Sequence, residues 1–119
     1  NGFVSASDAT LKRNVQPLKN ALDIVKELRG VSFYWDNVGH PDKRLNNKKQ
    51  IGMLAQDVEK VLPEIVVKNE EGYMGVAYDK ITAVLVEAIK EQQQQIQDQK
   101  SEIEQLKAQI QAIQAIIGK

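Results

Sequence analysis

Isoleucine recurs at every seventh position, at Ile89, Ile96, Ile103, Ile110 and Ile117, and this commits the last part of the chain to a helix with a continuous apolar seam. With these residues at heptad position a, position d holds Leu85, Gln92, Gln99, Leu106 and Ile113. A mean spacing of 3.5 winds such helices into a left-handed supercoil. β-Branched isoleucine at both a and d, as at Ile110, Ile113 and Ile117, crowds a two-stranded seam, so the pattern predicts a trimer. Glu102 at g and Lys107 at the following e have the spacing that meets across a parallel interface. Gln92 and Gln99 put amides into consecutive d layers, where they weaken the bundle and disfavour slipped registers.

Upstream the periodicity changes. Leu18, Ala21, Leu22, Val25 and Leu28 form one apolar face between Pro17 and Gly30, which predicts a helix over 17–29. Val31-Ser32-Phe33-Tyr34-Trp35 reads as a strand that supplies much of a small core. From Asp36 to Gln50 the chain is polar, with Gly39, Pro41, Asn46 and Asn47, and reads as a solvated loop. Ile51–Ala55 follows as a buried strand or tight entry, and Gln56–Leu62 as a short helix ended by Pro63. Ile65–Val67 and Tyr73–Tyr78 predict a hairpin around Lys68–Gly72. Asp79 is placed to cap a last helix starting near residue 80, whose wide first face is Ile81, Val84, Leu85, Ala88 and Ile89. The fold class expected is α+β: a small globular part of helices and strands, then a long C-terminal helix in a parallel trimeric coiled coil.

Composition narrows the chemistry. Sixteen basic and sixteen acidic residues give a formal net charge of zero, so neither nucleic acid nor an anionic membrane is expected as a partner. There is no cysteine, which removes disulfides and thiolate metal sites. No apolar run approaches a membrane span. His40 has no second ligand nearby, so neither a metal nor any other cofactor is expected. One constellation remains: Ser7-Asp8-Ala9-Thr10-Leu11-Lys12, with the lysine five residues after the serine. A lysine whose pKa is lowered by burial or a neighbouring cation can take the proton from a serine hydroxyl and make it a nucleophile. The same stretch also reads as a helix or turn start, with Ser7 or Asp8 as its cap.

The order of segments resembles the C-terminal intramolecular chaperone auto-processing domain of phage tailspikes, tail fibres and endosialidases. The likeness is carried by Ser7–Val15, Pro17-Leu18, Leu28–Val31 with Phe33-Tyr34-Trp35, Ile51–Glu59 with Leu62-Pro63-Glu64, and Val76-Ala77-Tyr78 leading into Leu85–Glu91. It implies a homotrimeric domain that registers an upstream fibre and is released by self-cleavage before the serine, here at Ala6-Ser7. Ser7 would be the nucleophile and Lys12 its general base, with Asp8 and Asn14 as supporting residues. Residues 1–6 would be the end of the upstream fibre, 7–79 the auto-processing domain and 80–119 the trimerisation helix. The implied partners are further copies of the chain and its own fibre. The expected location is the bacterial host cytoplasm during phage assembly, then the virion tail or release. The alternative is an uncleaved trimerisation and capping module of a phage fibre or a bacterial surface adhesin.

Overall fold

The computed structural model describes residues 4–118, so the expectations that fall on residues 1–3 and Lys119 lie outside the described residues. The chain runs α1 (Ala21–Glu27), β1 (Val31–Phe33), β2 (Gln50–Gly52), α2 (Ala55–Val61), β3 (Val66–Lys68), β4 (Met74–Val76) and α3 (Tyr78–Ile117), with short 3-10 turns at Ala9–Leu11, Pro41–Lys43 and Pro63–Ile65. The small head of helices and strands and the long final helix bear out the α+β reading. The shape is elongated, 82 × 43 × 30 Å.

The strands form two separate antiparallel pairs. β1 pairs with β2 in the register Val31↔Gly52, Ser32↔Ile51 and Phe33↔Gln50. β3 pairs with β4 as Val66↔Val76, Val67↔Gly75 and Lys68↔Met74, the hairpin expected from the sequence. Its loop closes because Asn69 accepts the Tyr73 amide on Oδ1 (2.9 Å) and Gly72 adopts φ 91°, a left-handed conformation open to glycine. β2 is tied to the start of α3 by the Tyr78 hydroxyl, which accepts from the Met53 amide (2.9 Å) and donates to its carbonyl (3.3 Å). Gly52 is required beside it, since a Cβ there would lie 2.8 Å from that hydroxyl.

Two-stranded ribbons are marginal alone, so the head depends on helix packing. Ala21 of α1, Val58 of α2, Leu62, Ile65 and the α3 residues Ile81, Val84 and Ala88 form the buried core, with Leu22, Ile24 and Val25 of α1 and the following Leu28 packed around it. The core does not sit in the aromatic strand, as the sequence suggested. Tyr34 and Trp35 remain exposed, because β1 ends at Phe33 and belongs to a ribbon beside the helices. Ile51 is likewise not buried; it is 87% exposed on the outer face of that ribbon.

Helix boundaries differ from the expectations for local reasons. α1 starts at Ala21 and not at Pro17, since Asn20 takes φ 59°, outside the helical region. It ends at Glu27 because Leu28 is already extended. α2 opens at Ala55 and closes at Val61, and Pro63 then begins a 3-10 turn. α3 opens at Tyr78, so Asp79 lies in its first turn and is not its cap. An acidic side chain there still complements the helix dipole. The Asp36–Gln50 loop contains internal order: Asn37 donates to the Leu45 carbonyl (2.9 Å) and accepts the Leu45 amide (3.1 Å).

The wide apolar face at the start of α3 is two stripes. Ile81, Val84, Ala88 and the half-buried Glu91 face the head, while Leu85 and Ile89 stay exposed and open the a/d row. At 100° per residue these stripes lie roughly 100° apart around the helix. Every described residue beyond Glu91 is exposed, including Ile103, Leu106 and Ile110. So is every described residue from Val4 to Asn20. The chain therefore exposes 10421 Å², where a compact monomer of this size would expose roughly 6,500 Å².

Candidate functional site

The Ser-Asp-x-x-Leu-Lys segment is a tight turn. Asp8 has extended backbone angles, and its side chain accepts both the Thr10 amide (2.9 Å) and the Thr10 hydroxyl (2.7 Å). These bonds, the amide first, hold the Asp8 carboxyl below its usual range. Backbone bonds from Leu11 to the Asp8 carbonyl (3.0 Å) and from Lys12 to the Ala9 carbonyl (3.1 Å) close the 3-10 turn.

The turn reverses the chain between its two ends. Lys12 Nζ consequently donates to Ser7 Oγ at 2.9 Å. The structure thus brings together the two residues singled out by spacing, and it gives Asp8 a structural task, capping the turn that joins them. Asn14 stands apart from them, at φ 54°, where the chain bends out of the turn. It makes no side-chain hydrogen bond among the described residues, and Ser7, Lys12 and Asn14 are all exposed. Val4 and Ser5, just upstream, line a shallow cleft with Val76, Ala77, Tyr78 and Asp79, so the bond at Ala6-Ser7 leaves the head near the base of α3.

Two further features lie outside this segment. The first is the row of exposed side chains along α3 from Leu85 through Ile89, Gln92, Ile96, Gln99, Ile103, Leu106, Ile110 and Ile113 to Ile117. Lys107 leans on Glu104 of its own helix at 3.9 Å, an exposed pair that contributes little. The second is Glu91, which sequence reading missed. Its two carboxylate oxygens accept the Ala21 amide (3.1 Å) and the Leu22 amide (2.8 Å) and so cap α1 from a distance of about seventy residues along the chain. No local signal pointed to it, because asparagine is a favoured cap residue by type and only the structure shows Asn20 left-handed and making no cap bond to α1.

His40 packs edge-on against the Tyr73 ring at 5.8 Å, and Lys43 lies over that ring while pairing with Glu71. The Glu71 carboxylate raises the Lys43 pKa. This cluster fastens the Asp36–Gln50 loop to the β3–β4 turn. No group of acidic and histidine side chains among the described residues is arranged to hold a metal. No described helix is long and apolar enough to cross a membrane.

Comparison with known proteins bears on the same segments. The family described as chaperone of endosialidase, Peptidase_S74, matches residues 7–67, beginning at Ser7, taking in Lys12 and ending in β3. A long tail fiber protein Gp37 of Enterobacteria phage M1 is 35% identical over 95 residues, which cover 76% of this chain and 37% of that protein. The Gp37 of Enterobacteria phage T2 is 33% identical over 95 residues, covering 76% of this chain and 7% of the relative. That of Salmonella phage S16 is 28% identical over 94 residues, covering 76% and 13%. The chain thus spans only a minor part of the relatives it matches. The match begins at the serine that the turn sets against Lys12 and spans more than half of the chain, so the chain belongs to the chaperone of endosialidase family.

Proposed function

We propose that this chain is the C-terminal chaperone module of a phage tail fibre, that it assembles as a parallel trimer through α3, and that it releases itself by cutting at Ala6-Ser7. The observation that carries the reading is the 2.9 Å hydrogen bond between Lys12 Nζ and Ser7 Oγ across a turn capped by Asp8. Residues 80–119 are the assembly helix in this reading, and residues 7–79 the auto-processing unit.

The chemistry follows from the position of the serine beside the scissile carbonyl. Neutral Lys12 takes the proton of Ser7 Oγ as that oxygen attacks the Ala6 carbonyl carbon. The Ala6–Ser7 C–N bond then breaks, and the lysine returns its proton to the leaving Ser7 amine. The result is an ester between Ala6 and Ser7 Oγ. Water, deprotonated by Lys12, hydrolyses the ester and leaves a free carboxylate at Ala6 and a chain beginning at Ser7.

Exposure sets the timing. Ser7 and Lys12 are both exposed in the single chain, whereas a serine–lysine dyad works in a site that excludes water. In a trimer, neighbouring chains cover the dyad, and cutting waits for assembly. Three upstream strands are then already in register when the module leaves. The homotrimer and its own fibre are the partners, and the host cytoplasm during virion assembly is the location.

The exposure of both dyad residues also favours a second reading, an uncleaved clamp of a fibre or surface adhesin in which Ser7 merely borders a turn. Intact mass of a chain carrying upstream fibre residues separates the two. The expected result is that wild type splits with a new N-terminus at Ser7, while Ser7→Ala and Lys12→Ala stay whole. If all three stay whole and assembled, the clamp reading replaces self-cleavage.

A further inference from the structure

The start of α1 lacks a cap of its own. A helix leaves its first amides without acceptors, and the left-handed Asn20 makes no side-chain hydrogen bond to them. Seven residues do not hold a helix without such help. The acceptors come from Glu91, both of whose carboxylate oxygens are used.

Glu91 occupies a particular place on α3. It lies one turn beyond Ala88, the last fully buried residue of that helix, and every described residue after it is exposed. The head therefore supports α3 up to Ala88. Beyond that point only packing along the Leu85, Ile89, Gln92 and Ile96 row can keep the helix wound. If α3 frays back to the head, the carboxylate moves away from the α1 amides.

α1 in turn anchors the dyad segment. Residues 13–20 join Lys12 to Ala21 and are exposed throughout, so the first turn of α1 is the nearest fixed point downstream of the dyad. We infer that Glu91 is a positioning residue: it makes the docking of α1, and through it the placement of the Ser7–Lys12 turn, conditional on a wound and assembled stalk. The inference rests on the self-cleaving reading for its last link only.

The test follows amide hydrogen exchange at Ala21 and Leu22 beside the rate of self-cutting. In Glu91→Ala those amides should exchange about ten- to a hundredfold faster, the scale of a lost charge-assisted bond, and cutting should slow about tenfold while sedimentation still shows the assembled species. Glu91→Gln keeps one acceptor oxygen and should fall between the two on both measures. Val84→Ala removes core methyl groups and leaves the clamp, so it controls for simple destabilisation. Equal slowing of cutting by Val84→Ala and Glu91→Ala at equal stability would overturn the positioning role. Ile103→Asp supplies a readout independent of cutting: it should raise exchange at Ala21 and Leu22 to the Glu91→Ala rate. Unchanged exchange in that variant overturns the link between stalk and α1. Should the wild type never cut, the self-cleaving reading fails and the exchange data alone decide for or against the clamp.

Discussion

α3 is one unbroken helix whose two halves stand in different surroundings within this chain. From Tyr78 to Glu91 it packs Ile81, Val84 and Ala88 on α1 and the rest of the head, and the Tyr78 hydroxyl and Glu91 carboxylate bind backbone of other elements. From Gln92 to Ile117 every residue is exposed, yet this half carries a more regular apolar row than the first. The difference teaches that regularity reports the kind of partner. A head presents an irregular surface and selects an irregular face, whereas identical helices around one axis select an exact repeat.

The sharpest way to break that division is Ile103→Asp, which puts a carboxylate into a central layer of the proposed seam. Assembly should be abolished by sedimentation and the helicity of residues 92–118 lost, while the β3–β4 ladder keeps its exchange protection. If the whole head melts with the stalk, the halves are not separately supported. The mirror experiment is Ile81→Ala in the head, expected to cost about 2–5 kcal/mol by chemical denaturation, because a buried side chain is truncated in a small core. Its association state at high concentration should be unchanged.

Smaller changes sharpen the comparison. Gln99→Ile fills a polar layer, and thermal melting should show a stalk stabilised by about 1 kcal/mol or more per chain. The accompanying expectation is looser register, seen as additional cross-links between engineered cysteines in a chain that has none of its own. The smallest effect concerns the Asp8 turn. Thr10 holds the carboxyl below its usual range, so its contribution is present above the ordinary aspartate pKa, about 4, and is lost as pH falls through the lower folded value. Near neutral pH the turn should be insensitive to pH. Its Thr10 amide resonance should shift only in the acid range, and Asp8→Ala should remove that titration altogether.

How far the sequence could be read depended on the range of the interactions. The Ser7–Lys12 pairing was legible because the residues that make it, Ser7, Asp8, Thr10 and Lys12, lie within one turn of chain. The β3–β4 hairpin was legible for the same reason, as its strands are joined by a short loop with Gly72 at its end. Where the partner lay far along the chain, local rules misled. Pro17 looked like a helix start, Asp79 like a cap, and the aromatic strand like the core.

The sequence by itself determined the α+β class, the heptad row of α3, and the type and order of nearly every element, because periodicity and turn chemistry act between near neighbours. Only the tertiary structure decided that the core lies among α1, α2 and α3, that Ile51 and Trp35 face outward, and that Glu91 closes the first turn of α1. Those outcomes depend on which surfaces meet after the chain has folded back on itself. A carboxylate seventy residues away supplies the acceptor that Asn20 does not, and no periodicity encodes that meeting.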